Sequence, residues 1–266
     1  ASQAGIHTFN LYTEGEAVHQ LDEKFIPDTI QRVADNIGKP GAGSNSEIFN
    51  DYIGNTAEGS YSHAEGYSAD ATGNFSHAEN YCTTAEGYGA HAEGGFTKAN
   101  GEYSHAEGNG TIAQGANAHA EGKNTTALGE NSHAEGNSAN NALTIIPDLS
   151  EDPRADTADI ITAWETQKFS LARIGGHSEG TNTLALKAGT HAEGNYTIAN
   201  GNYSHAEGQN TITTGESAHA EGWKTTASNY HAHAEGSSTT ASGQQSHAEG
   251  RSSIASGNVS HAEGSN

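Results

Sequence analysis

Histidine and glutamate set two residues apart are the side chains in this sequence whose types and spacing could do chemistry, and the pairing is written thirteen times. Six copies read Ser-His-Ala-Glu-Gly and the others vary it at one or two positions; the first group gives His63 and Glu65, His77 and Glu79, His91 and Glu93, His105 and Glu107, His119 and Glu121, and His133 and Glu135. After a gap come His177, then His191 and Glu193, His205 and Glu207, His219 and Glu221, His233 and Glu235, His247 and Glu249, and His261 and Glu263. An imidazole beside a carboxylate can move a proton, orient a base or ligate a metal. The catalytic motifs that use such residues are nevertheless incomplete here. A zincin needs two histidines four apart on a helix, and the zinc deaminases need a Pro-Cys-x-x-Cys partner. Thirteen near-identical copies also speak against one active centre, so the chain is expected not to be an enzyme. At His231-Ala232-His233 a second histidine precedes the repeat's own, and strand alternation would put both on one face. Such a pair could ligate a transition metal, whereas the plainer alternative is an incidental histidine at a variable turn position.

The elements that must position these pairs follow from their period. The step is 14 residues within each group, and the step from His133 to His177 is 44, one ordinary step plus 30. Between successive phrases lies a second heptad of similar grammar, such as Thr111-Ile112-Ala113-Gln114-Gly115. A fixed short period over so many copies is the mark of a solenoid, each repeat one coil stacked on the last. Side chains alternate faces along a strand, so in Ser104-His105-Ala106-Glu107 the serine and alanine share one face and the histidine and glutamate the other. Alanine recurs nearly every seventh residue from Ala57 to Ala262, which suits an interior too thin for larger side chains. Glycine after each strand is expected to supply a turn at positive φ, with Asn80 and Asn229 as tolerated replacements. Thr97, Thr111, Thr125, Thr197, Thr211, Thr225 and Thr239 form a column that could suggest ice binding. Alternation places them with the alanines, inside the coil and bonded to backbone.

Composition limits the alternatives. The chain of 266 residues is only 32% hydrophobic and holds 34 glycines, too little apolar material for an ordinary large core. A net charge of −22 argues against nucleic acid and anionic membrane as partners. One cysteine, Cys82, excludes an intrachain disulfide framework. No apolar run approaches the ~20 residues of a membrane-spanning helix, and no insertion into a membrane is expected. A calcium roll would need Gly-Gly-x-Gly-x-Asp repeats, which are missing.

Four regions result: a connector at 1–54, a first roll segment at 55–142, an insertion at 143–175 and a second roll segment at 176–266. In the connector, Pro27-Asp28 opens a short helix striped by Ile30, Val33 and Ile37. In the insertion, Ala158, Ile161, Trp164 and Lys168 fall at helical spacing, and Ser170-Leu171-Ala172-Arg173 reads as a half-repeat restored one residue out of phase. Aromatic residues crowd the turns. Tyr61, Tyr67, Tyr81, Tyr88, Trp223 and Tyr230, with Trp164 of the insertion, are the candidates for stacking on a sugar ring; the alternative is that such rings cap the open sides of a narrow roll.

These heptads in 14-residue coils resemble the head repeats of YadA-type trimeric adhesins, and the SHAEG wording is similar to the variant in tail-fibre and appendage proteins of phages and prophages. The resemblance covers roughly Asn55 to Asn266 outside the insertion. It implies an all-β, left-handed parallel β-roll, homotrimeric, with one short N-terminal helix and one helical insertion added. It also implies an extracellular place on a virion tail or appendage, or alternatively a bacterial cell surface, and a host surface glycan or protein as partner besides the chain itself. Where the family has Val and Ile facing the threefold axis, this sequence has histidine and glutamate, so the resemblance puts a polar ladder on that axis. His-x-His pairs also resemble those that bind iron in some phage fibre tips, which is the basis for placing a possible transition-metal ion at His231 and His233. The sequence stops within the repeats at Gly264-Ser265-Asn266, without the membrane barrel of trimeric autotransporters, which favours a fibre fragment.

Overall fold

A computed structural model describes residues 39–49, 54–137 and 170–265. The two expected helices lie outside these residues, and within them the secondary structure is all β. Each coil contributes one strand to each of two sheets, a 15-stranded sheet that is parallel except at its first strand pair and holds all thirteen histidine-bearing strands, and a parallel 13-stranded sheet built from the intervening heptads. Together they make a parallel β-solenoid of about thirteen turns.

Register is exact in the sense that like stacks on like. His63 pairs with His77, Ala64 with Ala78 and Glu65 with Glu79, and the same order runs on to His247 with His261. It also runs across the insertion: His133 pairs with His177 and Glu135 with Glu179. On the other sheet Thr125, Thr126 and Ala127 pair with Ser170, Leu171 and Ala172. Ser170–Ala172, expected within the insertion, is therefore a strand of the roll. The phase shift is absorbed in the next turn. Four residues separate Ala172 from His177 where five separate Ala185 from His191.

The interior is alanine. Ala64, Ala78, Ala92, Ala106 and their equivalents up to Ala248 have no exposed surface in one sheet, nor do Ala71, Ala85, Ala99 and Ala113 in the other. Serine at the entry to each histidine strand is buried because its hydroxyl is used at once: Ser62 Oγ donates to Gly59 O at 2.7 Å and Ser104 Oγ to Gly101 O at 2.7 Å. The threonine column is buried as expected, at 0% exposure for Thr97, Thr111, Thr125, Thr197, Thr211, Thr225 and Thr239. Its bonding is sparser than expected. Thr111 Oγ1 donates to Glu107 O at 3.1 Å and Thr125 Oγ1 to Glu121 O at 2.9 Å, while the hydroxyls of Thr97, Thr197, Thr211, Thr225 and Thr239 make no hydrogen bond among the described residues.

Glycine serves two different purposes. In the SHAEG phrase it meets the expectation of positive φ: Gly66 has φ 130°, and Asn80, the asparagine in that column, has φ 79°. In the intervening heptad the expectation needs correcting, because Gly59, Gly73, Gly87 and Asn229 are not among the positive-φ residues. Close approach explains the glycines there, since a Cβ on Gly59 would stand 1.8 Å from the carbonyl oxygen of Gly73 in the next coil.

The described stack has an unforeseen first layer. Lys39–Pro40 runs antiparallel to Glu47–Phe49, which pairs in parallel with His63–Glu65. Ser46 Oγ donates to Gly43 O at 2.7 Å, repeating the serine-to-glycine turn of the later coils. The degenerate Gly-x-x-Ser spacing was its only signal in the sequence. Proline on this outermost strand lacks the N–H that an added strand would use.

Candidate functional site: the histidine and glutamate column

Because the strands are parallel and in register, the histidines of successive coils stack directly on one another. From His63 to His261 each ring centroid lies 4.6–4.9 Å from the next. Most pairs are near-parallel, such as His91 and His105 at 1°, though His63 and His77 meet edge to face at 87°. The glutamates form a second column beside them, two residues along each strand. All the pairs expected from the sequence are thus gathered on one outer face of the 15-stranded sheet, and His177 with Glu179 fills the place across the insertion. The face is half-buried in the single chain.

Within a coil, the imidazole Nε2 sits 3.4–4.0 Å from the glutamate carboxylate, as in His133 to Glu135 at 3.4 Å and His219 to Glu221 at 4.0 Å. Contacts between coils are comparable: His105 to Glu93 is 3.4 Å and His119 to Glu107 is 3.6 Å. Most of these gaps exceed hydrogen-bond length. Accordingly the Nε2 atoms of His77, His91, His119, His133, His191 and His205 are closed off from solvent without a hydrogen bond among the described residues. Burial, followed by the like charge of neighbouring imidazoles, holds His77, His91, His133, His205 and His233 below the ordinary histidine pKa. Glu121 is pushed upward, chiefly by its contact with the Glu107 carboxyl.

The aromatic candidates form two exposed rows on the early coils. Tyr61, Phe75, Tyr88 and Tyr103 follow one turn at centroid spacings of 5.1–5.4 Å. Tyr67, Tyr81 and Phe96 follow the other at 5.0–5.1 Å. Tyr61 and Phe75 are stacked parallel to within 3°, so each covers a face of the other that a sugar would need. This favours mutual capping along the rows. Trp223 is 43% exposed, and the Lys224 ammonium lies 4.4 Å from its ring centroid. Trp164 lies outside the described residues.

His231 and His233 are not brought together as two residues of one strand. The strand is His233–Ser237, and His231 sits in the preceding turn at φ 55° with its ring stacked on Tyr230 at 3.8 Å. His233 stands in the column between His219 and His247. A turn residue in the left-handed region is rotated out of the alternation on which the metal expectation rested.

A solenoid whose coils repeat a small-residue heptad in register defines the class of protein. Comparison with family models adds the particular repeat: the model of the YadA head domain repeat matches residues 106–132, 120–139, 192–215 and 234–266. Matches to this repeat thus fall in both parts of the roll. No curated protein matches the chain.

Proposed function

We propose that this chain is a segment of a homotrimeric extracellular fibre, acting as a rigid spacer and a host-surface-binding part of a phage tail fibre or related appendage, without enzymatic activity. The observation that carries the reading is the uninterrupted histidine and glutamate face, running the length of a YadA-type roll on a single sheet. YadA-type heads assemble as trimers, and a flat, ungapped face of this kind suits packing around a threefold axis. On this reading the roll is left-handed with 14-residue coils, and each glutamate accepts a hydrogen bond from a histidine of the neighbouring chain. Thirteen coils at a strand spacing of about 4.8 Å give a rod of ~60 Å. Light scattering on the purified chain tests the assembly: three chains per particle are expected, and a monomer would overturn it.

The second reading, the head of a bacterial trimeric surface adhesin, is favoured by the family match itself. The two differ in what the full gene encodes after Asn266, a membrane anchor or a self-cleaving chaperone. Binding to host surface glycan or protein is tested with glycan arrays and host-cell binding; silence in both leaves a purely structural filament.

A further inference from the structure

We propose that the column is a linear array of transition-metal sites of the zinc class, each made by two stacked histidines and one glutamate of a single chain. His91, Glu93 and His105 place one nitrogen or oxygen ligand atom each within 4.8 Å of the others. The same holds for His133, Glu135 and His177, for His191, Glu193 and His205, and for His233, Glu235 and His247.

Three features point to a cation. The first is separation. Two ligands on one tetrahedral zinc, bonded at about 2.0–2.1 Å, stand ~3.4 Å apart. In each group one Nε2-to-carboxylate gap lies near that spacing, 3.4 Å at His105 and Glu93, 3.4 Å at His133 and Glu135, 3.8 Å at His191 and Glu193 and 3.7 Å at His233 and Glu235, and the other separations, within 4.8 Å, would close on binding. A second feature is the set of Nε2 atoms on His91, His133, His191, His205, His233 and His247, sealed from solvent without a hydrogen bond among the described residues. Third is donor chemistry: two imidazoles and one carboxylate form a borderline set that favours zinc, cobalt, nickel or copper over magnesium or calcium. Three protein ligands leave one position of a tetrahedron for water.

Stoichiometry follows from sharing. His177, Glu179 and His191 form another such group, but each Nε2 binds one metal. That group is therefore excluded when His177 and His191 serve the groups on either side. The four groups above share no residue and can fill together. The inference does not rest on the trimeric reading, because all three ligand atoms come from one chain. Nδ1 and the second carboxylate oxygen remain to meet a neighbouring chain.

The test uses the full chain without a histidine tag, stripped with a chelator and titrated with Co²⁺ in the presence of excess Mg²⁺. At least four equivalents per chain are expected, with the visible absorption of tetrahedral Co²⁺, displaced by Zn²⁺. A variant carrying Glu93→Gln, Glu135→Gln, Glu193→Gln and Glu235→Gln should lose at least ten-fold in affinity. One carrying Glu58→Gln, Glu86→Gln, Glu102→Gln and Glu130→Gln, outside the column, should not. Circular dichroism of each variant reports folding. If the column variant misfolds, histidine N–H NMR shifts on adding Zn²⁺ to the unsubstituted chain decide instead, since they must move at the column histidines. Binding abolished by Mg²⁺, fewer than one equivalent bound, or column shifts that stay fixed would overturn the proposal. Light scattering of the same samples reports assembly separately.

Discussion

At the scale of a residue, in-register stacking means that each side chain has its own kind above and below it, so a substitution is felt by two neighbours of the same type. Carboxylates stacked at the coil spacing repel unless each finds a partner. Glu107→Ala is the direct probe of the proposed axial ladder. It should strand a histidine and weaken the trimer by on the order of 1–3 kcal/mol per chain. Glu86→Ala, exposed on a turn after the other sheet's strand, should leave melting nearly unchanged. Equal, negligible shifts in the two melting curves would place the ladder in water. Glycines offer a second comparison. Gly175 has φ 62° and open space where a Cβ would go, so Gly175→Ala should cost only the ~1–2 kcal/mol of a left-handed non-glycine residue. Gly108 has φ 105°, and a Cβ there would stand 2.1 Å from the carbonyl oxygen of Gly122. Gly108→Ala adds a backbone clash to the same penalty and should be the more damaging in thermal melts. A smaller loss than at Gly175 would refute the close-approach account.

At the scale of the element, five histidines of the column link stability to pH. His77, His91, His133, His205 and His233 are held below the ordinary histidine value, so the folded chain binds fewer protons than the unfolded chain just below pH 6.5. Stability from these groups is complete above that pH and declines as the pH falls through the lowered values. Glu121, pushed upward, works in the opposite sense at lower pH. The melting temperature of metal-stripped protein should therefore be flat above neutrality and fall as the pH drops below about 6.5. A rise on acidification would show that histidine protonation is instead favoured by its glutamates. Much of this element was legible in the sequence, because a two-residue alternation and a fixed period dictate which side chains share a face. Less legible were features that depend on the neighbouring coil. The glycine at 59 looks like the glycine at 66, and both stand against a carbonyl in the next coil, yet only the second also has a positive φ. His231 looks like a strand residue until the turn's left-handed backbone removes it. The layer at Lys39–Phe49 has lost the His-Ala-Glu wording and keeps only the turn spacing.

At the scale of the whole molecule, stability in a solenoid is a sum over coils and their interfaces. Removing residues 98–111, one repeat, brings Thr97 to Ile112 in the register that Lys98 already shares with Ile112. The shortened chain should fold with an unchanged circular dichroism spectrum per residue, and its rod should be shorter by about 4.8 Å. Failure to fold would mean that this coil makes contacts particular to its place. The same property governs the 44-residue step, since both sheets close across it with like paired to like. It has a genetic reading as well. A slip of the coding sequence by one repeat, through unequal recombination between near-identical stretches, returns a chain whose every strand still finds its proper neighbour. Length is then a heritable trait that can change in whole coils while the fold stays fixed, and selection can tune the reach of the roll without reinventing a single contact.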